Sequence, residues 1–293
     1  MNEKISVLLC FLTMISCSGQ KLATDLFDEG KVKGVASKKI EEASGLAASR
    51  TNPGYLWTIN DSGNPAEIYL LDDKAKIVMT CRLVNVINRD WEEIFIGPGP
   101  DESTPYIYVA DIGDNEAKYS HKMLYRFKEP VFSNANQEIV KIDTIAFTLS
   151  DQVRDAETML FDSLSNSFFI LSKREQKIKL YELKYPFIND TLVAEEKSEL
   201  PYNNIVAADL CPEGDEFLMK DYDHVYYWKR EAGESFKEML LRKPIMLNYD
   251  PEPQGESIVW QTDDAGFYTL SEAAKHKKSA LLYYSRIKIN SDD

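Results

Sequence analysis

Glutamates recur at one position in three distant parts of the chain, each time two residues before a large apolar residue. They are Glu92, Glu157 and Glu256. Two of these positions also have an aspartate two residues earlier, at Asp90 and Asp155. Carboxylates that converge can hold a hard cation such as Ca²⁺, or can act as acid and base if their pKa values differ. The shared spacing therefore predicts one site built from repeated segments.

A second group of polar residues follows short apolar segments, at positions where the second strand of an antiparallel pair would end. Neighbouring antiparallel strands run in opposite directions, so the end of the second strand lies beside the start of the first. These residues are therefore predicted to lie on the same face of the protein as the glutamates. Trp91 lies beside Asp90 and is predicted to contact a sugar or aromatic ligand, or else to plug a channel. The other residues of this predicted ligand-binding face are Asn60, Asp61, Asp111, Asp114, Asn115, Lys173, Arg174, Lys220 and Glu272.

A repeat provides the elements that must position these residues. Large apolar anchor residues are separated by 48, 65, 51 and 48 residues, and each is followed by short apolar segments bounded by Gly, Pro, Asn and Asp. Four short strands per unit with this period are typical of a β-propeller, whose innermost strands line a central channel. The sequence thus predicts an all-β fold of four-stranded blades, five in number, with six as the alternative because of the longest interval. The domain would span residues 37–288 and precede a polar tail at 289–293. The anchors are Leu46, Ile94, Met159, Leu210 and Ile258.

The start of the chain resembles an export signal. Residues 1–16 are predicted to be a signal peptide, because they hold an apolar run too short to span a bilayer. Cys17 follows in a pattern that resembles a bacterial lipobox, so we expect lipidation there; an ordinary signal peptide with an incidental cysteine is the alternative. Residues 17–36 would then contain the anchor, a linker and a strand at Lys31–Val35 that closes the ring. These features predict an extracytoplasmic, membrane-anchored lipoprotein that faces the periplasm or the cell surface.

Composition narrows the classes of partner. The chain of 293 residues has a formal net charge of −14, and 44% of its residues are hydrophobic. The hydrophobic content supports a sizeable core, whereas a nucleic-acid partner is disfavoured because its binding needs lysine and arginine to displace counterions. The three histidines lack metal-ligand spacing, and no Gly-x-Ser-x-Gly motif is present. We expect the protein to be a monomer. Cys81 and Cys211 are expected to be small buried residues rather than disulfide partners.

These motifs resemble those of a largely uncharacterised family of secreted bacterial β-propeller proteins. The resemblance covers about residues 40–285 and implies the propeller fold without implying a settled activity. More distantly, the acids at the strand starts are similar to those of calcium-dependent lactonase-type propellers and of propeller phytases. The matching segments are Ser44-Gly45-Leu46, Asn60-Asp61-Ser62-Gly63, Asp90 to Ile94, Asp111 to Asn115, Asp155 to Met159, Ala208-Asp209 with Pro212 and Gly214, and Gln254 to Ile258.

Three interpretations of the carboxylates are open at this point. In the first, nearby lysines and arginines neutralise all of them in an ion-pair network that ties the blades together. In the second, they hold Ca²⁺, with Glu92, Glu157, Glu256 and Asp111 as metal ligands. In the third, two of the glutamates act as acid and base on an ester or a sugar.

The favoured interpretation is a binding or scaffold module, because no nucleophile or histidine cluster requires enzymology. Its channel-mouth face would bind a protein, a glycan or a small molecule, and Ca²⁺ is the one cofactor considered. The alternative is a calcium-dependent hydrolase of the lactonase or phosphoesterase kind. The sequence assigns no catalytic residue, and the balance lies slightly against an enzyme.

Overall fold

The computed structural model describes residues 26–188, 191–274 and 278–287. Almost all regular structure in this part of the chain consists of short β-strands. The strands are rich in Ile, Leu, Val, Tyr and Phe, and turns with Gly, Asn, Asp or Pro separate them, as expected for segments of a packed sheet. A short helix, α1 (Phe236–Leu241), begins after Ser235, whose side chain accepts from the backbone amide of Glu238 in a capping box.

Strands pair antiparallel in groups of four. The first group is β2 (Ala43–Ala48), β3 (Leu56–Asn60), β4 (Glu67–Leu71) and β5 (Ile77–Leu83). The second is β6 (Trp91–Gly97), β7 (Tyr106–Asp111), β8 (Lys122–Lys128) and β10 (Asp143–Leu149). The third is β11 (Ala156–Asp162), β12 (Ser167–Ser172), β13 (Ile178–Lys184) and β14 (Leu192–Leu200). The fourth is β15 (Ala207–Leu210), β16 (Glu216–Lys220), β17 (Val225–Lys229) and β18 (Ile245–Met246). The fifth is β19 (Ser257–Trp260), β20 (Gly266–Leu270), β21 (Ala280–Ser285) and β1 (Lys31–Val35).

The first strand of each group lies innermost. β2 packs beside β6, β6 beside β11, β11 beside β15, β15 beside β19, and β19 beside β2. These innermost strands therefore form a closed ring around a central channel, which is the arrangement of a β-propeller. The predicted all-β propeller fold is confirmed.

The last group is completed by the first strand of the chain. β1 pairs antiparallel with β21, with Lys31 opposite Tyr283 and Val35 opposite Ala280. This is the pairing expected for Lys31–Val35 from the sequence. It joins the two ends of the ring and gives the outer edge of β21 a hydrogen-bonded partner.

Hydrophobic clusters fill the interfaces between neighbouring sheets. The interface between the first and second groups holds Trp57, Trp91 and Tyr125, and comparable clusters occupy the other interfaces. Burial of these apolar side chains is the main term that stabilises the ring. As expected, Cys81 and Cys211 are buried and free.

Two connections between neighbouring sheets were not predicted. Strand β9 (Gln137–Ile139) leaves the second group after β8 and adds to β5 of the first group in parallel. The first residues of β14 pair in parallel with the last residues of β10. The chain after β8 therefore crosses to the first sheet, which accounts for the longest interval between anchor residues.

No helix in the described ranges is long and apolar enough to cross a bilayer. The proposed signal segment, Cys17 and the polar tail at 289–293 all lie outside the described residues. Export and lipidation therefore stay predictions.

Candidate functional site

Two β-bulges place glutamates at the start of inner strands. In β6 the register against β7 shifts between Trp91 and Glu93, and β11 has the same kind of shift against β12. Glu92 and Glu157 are the extra residues at these shifts, and an extra residue re-aims its side chain away from the regular alternation. Although they belong to different sheets, their carboxylate oxygens lie within 4.8 Å of each other.

The two glutamates belong to a group that we call the carboxylate cluster: Asp61, Asp90, Glu92, Asp155 and Glu157. Oxygens of Glu92, Asp155 and Glu157 all lie within 4.8 Å of one another. Oxygens of Asp61, Asp90 and Glu92 do so as well. Glu92 is thus common to both sets. The five residues come from the first three sheets, so only the closed ring brings them together.

Burial raises the pKa values of these carboxyl groups. It raises the pKa of Asp90 to about 6, and neighbouring aspartates add to the shift. It raises the pKa of Glu157 to about 8, although the positive charge of Lys173 opposes the shift. Burial and then repulsion from Glu157 hold the pKa of Glu92 well above its usual range. At neutral pH the cluster therefore retains protons unless a cation replaces them.

Two cations follow β12 and pair with part of this charge. Lys173 Nζ lies 2.5 Å from Glu157 Oε1 and 3.6 Å from Glu256 Oε1. Arg174 Nε lies 2.5 Å from Asp155 Oδ2, and its side chain is half exposed. Both cations lie at the end of the second strand of their sheet, on the side of the ring where the inner strands begin.

The other three carboxylates have no counter-ion in the part of the chain that the structure describes. Asp61 accepts a hydrogen bond from the backbone amide of Ser62, and no ion pair reaches Asp61, Asp90 or Glu92. Lysines and arginines of the described residues therefore form ion pairs with only some of the acids, and the ion-pair network stays one of the open interpretations. Closely spaced carboxylates without counter-ions must be protonated or must bind a cation.

The loop after β7 covers the cluster with its backbone. A Cβ added at Gly113 would collide with the Glu92 carboxylate and would lie 2.6 Å from Asp90 Cγ. The next backbone amide, that of Asp114, donates to Asp155 Oδ1 over 2.8 Å. Glycine is needed here because the backbone approaches the carboxylates too closely to leave room for a side chain.

The acids of this loop are engaged elsewhere. Asp111 is buried, and its Oδ1 accepts from Arg89 Nε over 3.0 Å. Of the four predicted metal ligands, the structure therefore brings Glu92 and Glu157 together in the carboxylate cluster, whereas Asp111 and Glu256 lie outside it. Asp114 accepts from two backbone amides of its own loop and pairs with the buried Lys122 at 3.4 Å. Asn115 is exposed.

Glu256 lies beside the cluster in a separate hydrogen-bonded group. Tyr222 OH donates to Glu256 Oε1 over 2.5 Å. Glu272 accepts from Gln254 Nε2 over 2.8 Å and shares a hydrogen bond with Glu256. Burial, followed by repulsion from Glu256, raises the pKa of Glu272 to about 8. Glu272 therefore keeps its proton at neutral pH.

Two residues of the predicted ligand-binding face, Trp91 and Lys220, have no exposed surface at all. Trp91 is fully buried and packs against Tyr125 between the first two sheets. Its predicted contact with a ligand is therefore wrong, and it fills a sheet interface rather than the channel. Lys220 is also fully buried, where it donates to Tyr249 OH over 2.9 Å and pairs with Glu252 at 3.4 Å. A ligand at the channel mouth cannot reach its charge.

An unsatisfied oxygen lies next to the cluster in the sequence. Asn60 Nδ2 donates to the Lys39 carbonyl over 2.7 Å. Asn60 Oδ1 is buried and has no hydrogen-bond partner among the described residues. This buried oxygen is therefore free to accept a hydrogen bond or to contact a cation. Asn60 immediately precedes Asp61 of the cluster.

Sequence reasoning missed three contributors to this region. Tyr222 lies in the turn after β16, where nothing in its surroundings marks it as a partner of Glu256. Lys122, at the start of β8, is one of several lysines in a polar segment. Gly113 was visible as part of the Asp111 to Asn115 motif, but its role is steric and belongs to the backbone.

No protein-family model matches the chain, and no curated protein matches it. Among solved structures, a gluconolactonase from Xanthomonas campestris is 8% identical, with 84% of this chain and 72% of that chain covered and a TM-score of 0.47. A luciferin-regenerating enzyme is also 8% identical, with 88% of this chain and 95% of that chain covered and a TM-score of 0.49. At this identity and these TM-scores, neither similarity bears on the chemistry of the site.

Proposed function

We propose that the carboxylate cluster binds a divalent cation, with Ca²⁺ as the expected ion, and that the protein is a cation-dependent hydrolase of small esters. The position of Glu92 carries this proposal, since it joins two sets of converging carboxylates and has no counter-ion among the described residues. Ca²⁺ takes oxygen ligands at about 2.3–2.6 Å, so two ligands of one ion lie up to about 5 Å apart. The limit of 4.8 Å between the oxygens fits a shared ion.

The residues that would hold the ion are Glu92 with Asp155 and Glu157, or Glu92 with Asp61 and Asp90. Both sets consist of hard oxygen donors, as Ca²⁺ prefers. The raised pKa values support this assignment, because burial and then repulsion disfavour the negative charge of these carboxyls, and a bound divalent cation would compensate that charge as a proton does. The Glu157 carboxylate also contacts Lys173, so the set around Asp61 and Asp90 carries the larger uncompensated charge.

A divalent cation bound there would polarise a carbonyl or phosphoryl oxygen of the substrate at the channel mouth. A water molecule would attack the carbonyl carbon or the phosphorus as the bond to the leaving oxygen breaks. The proton of that water would pass to the Glu256 carboxylate, which shares a hydrogen bond with Glu272. Glu272 holds a proton at neutral pH and lies beside Glu256, so it is placed to donate to a leaving oxygen. Tyr222 fixes the orientation of the Glu256 carboxylate. Lactones and phosphate esters are the substrate classes that need these two functions together.

A binding module without turnover is the second candidate. Lys173 already neutralises part of the charge on Glu157 and Glu256, as in a structural network. The same mouth could then hold a cation and a ligand without chemistry, and a direct test of turnover separates the two candidates.

The first test is thermal unfolding of the protein in EDTA and then with added Ca²⁺. A ligand that binds only the native state raises the midpoint by mass action, so we expect a rise of several degrees at millimolar Ca²⁺. Glu92→Gln should abolish this rise while the protein stays folded in EDTA. Glu138→Gln is the matched control, because it removes the same charge from an exposed position on β9. Equal Ca²⁺ responses in both variants would count against the cation site.

Turnover is tested by screening lactones and phosphate esters with the Ca²⁺-loaded protein. Glu272→Gln should lower kcat by about 10²-fold or more, as for loss of a general acid, without changing the Ca²⁺-induced rise in unfolding temperature. A normal Ca²⁺ response with no hydrolysis of any ester would leave the binding module as the function.

Membrane attachment forms a separate part of the proposal. The segment that ends at Cys17 supports export and lipidation of that cysteine, as the lipobox-like pattern predicts. Mass spectrometry of the protein from its native membrane should show acylation at Cys17. A Cys17→Ser variant that still fractionates with membranes would contradict the anchor.

A further inference from the structure

A cavity lies at the opposite end of the channel from the carboxylate cluster. Its volume is about 370 Å³, within the range of pockets that bind small molecules. The last residues of the innermost strands and the turns that follow them form its walls. The walls combine polar and apolar surface in similar proportions, and the apolar part includes Phe95, Phe161, Leu210 and Val259.

Two opposite charges line this cavity without pairing. Asp209 Oδ2 accepts from the Trp260 backbone amide over 2.8 Å, and its Oδ1 accepts from the Leu210 amide over 2.9 Å. Within the described ranges no ion pair reaches Asp209. Arg50 is exposed and lines the same cavity, close enough for its charge to lower the pKa of Asp209.

The surroundings of Asp209 make its carboxylate a recognition group for a cation. Burial raises the pKa of Asp209 to about 7, and repulsion from Asp264 adds to the shift. Asp264 itself shares a hydrogen bond with Glu213, and Glu102 is a further acid in the cavity lining. An ammonium group placed against Asp209 would supply the counter-ion that these acids lack.

We propose that this cavity binds a small zwitterion, of the class of α-amino acids with apolar side chains. The ammonium group would lie at Asp209, the carboxylate at Arg50, and the side chain against the aromatic and aliphatic walls. A simple amine would leave Arg50 unused, and a simple acid would meet the charge of Asp209. The zwitterion satisfies both charges, and the apolar lining selects its side chain.

The test uses three probes of similar size: L-phenylalanine, phenethylamine and 3-phenylpropionate. Calorimetric titration of the protein in EDTA should show the tightest binding for L-phenylalanine. Arg50→Gln should weaken L-phenylalanine about tenfold and leave phenethylamine unchanged, since only the carboxylate contact is lost. Asp209→Asn should weaken both by about tenfold or more. Lys128→Gln is the matched control, because it removes an exposed cation of the same face that pairs with Asp101 outside the cavity.

Asp209→Asn changes a residue that accepts two backbone amides, so a second variant is needed in case it does not fold. Ser163→Trp fills the cavity from an exposed position of its rim and leaves both charges in place. It should abolish binding of L-phenylalanine without lowering the unfolding temperature. The proposal is overturned if L-phenylalanine does not bind at millimolar concentration, if either simple probe binds as tightly, or if Ser163→Trp binds like the unmodified protein.

Discussion

A buried carboxylate without a counter-ion is costly, and the protein places Glu92 in that position within reach of four other acids. The buried Lys173 contacts Glu157 and Glu256 instead. As a result, the negative charge is partly compensated in the set with Asp155 and Glu157, but not in the set with Asp61 and Asp90. The first set has a lysine in contact with one of its carboxylates, whereas the second has no cation within ion-pair distance among the described residues and is where a bound cation would gain most.

Removal of the Lys173 charge tests how much this lysine stabilises the carboxylates that it contacts. Lys173→Met leaves Glu157 and Glu256 without a buried partner, and loss of one member of a buried pair typically costs about 3–5 kcal/mol in the free energy of unfolding. Urea unfolding in EDTA should show this loss, and Ca²⁺ should restore part of it. The double variant Lys173→Met/Glu157→Gln should recover much of the stability in EDTA. A loss below about 1 kcal/mol in the single variant would show that the ion pair is not structural.

At the scale of single residues, the sequence predicted positions better than contacts. The repeated spacing placed Glu92 and Glu157 at the starts of inner strands, where they lie. The same reasoning was wrong for Trp91 and Lys220, since a polar segment near the channel also contains side chains that turn into the sheet interfaces. A bulge of one residue decides which way each side chain points, and neither strand shows that bulge in its composition.

The loop from Asp111 to Asn115 is a structural element whose position was predicted correctly but whose contacts were not. Its acids suggested metal ligands, but its backbone is what meets the cluster. The strands themselves were predictable, because short apolar segments between turn residues are typical of β-strands and are too short for helices. The parallel additions of β9 and β14 were not predictable, since they depend on which sheet edge is free once the ring has closed.

Gly113→Ala tests the role of this loop. The added Cβ would displace the loop from Glu92 and Asp90, so we expect a weaker Ca²⁺ response in thermal unfolding, by at least about tenfold in apparent affinity. Gly233→Ala is the control for the cost of replacing a glycine. Gly233 has φ of +79° and open space around it, so alanine there should cost only the backbone strain of the left-handed conformation, about 1–2 kcal/mol, and leave the Ca²⁺ response intact. A normal Ca²⁺ affinity in Gly113→Ala would show that the loop does not shape the site.

For the whole molecule, closure of the ring is what creates both candidate sites. The carboxylate cluster draws on the first three sheets, and the opposite cavity is lined by the ends of inner strands from every group. The repeat predicted the ring and therefore the mouth where the acids meet. It did not predict the opposite cavity, because the turns that line it share no repeated motif, and the Ala208-Asp209 motif did not show that Asp209 faces a cavity.

Closure of the ring also makes stability depend on pH, because it buries carboxyl groups and raises their pKa values. In the folded protein the pKa of Asp90 is about 6, and those of Glu157 and Glu272 are about 8, whereas unfolded carboxyls titrate near 4. Between these values the folded state holds more protons than the unfolded state, so stability falls as pH rises. The contribution of these groups is fully present below about pH 4 and is lost by about pH 8, with a slope of up to about 1.4 kcal/mol per pH unit for each group.

Ca²⁺ should reverse this trend, because the ion competes with the protons that the cluster retains. We expect the Ca²⁺-induced rise in unfolding temperature to be small at pH 5.5 and several-fold larger at pH 8, where the ligands are free of protons. Differential scanning calorimetry across this range, with and without Ca²⁺, measures both curves. In Glu92→Gln the curve with Ca²⁺ should follow the curve in EDTA at every pH. A Ca²⁺ effect of equal size at pH 5.5 and pH 8 would mean that the ion binds elsewhere, on groups that have already lost their protons.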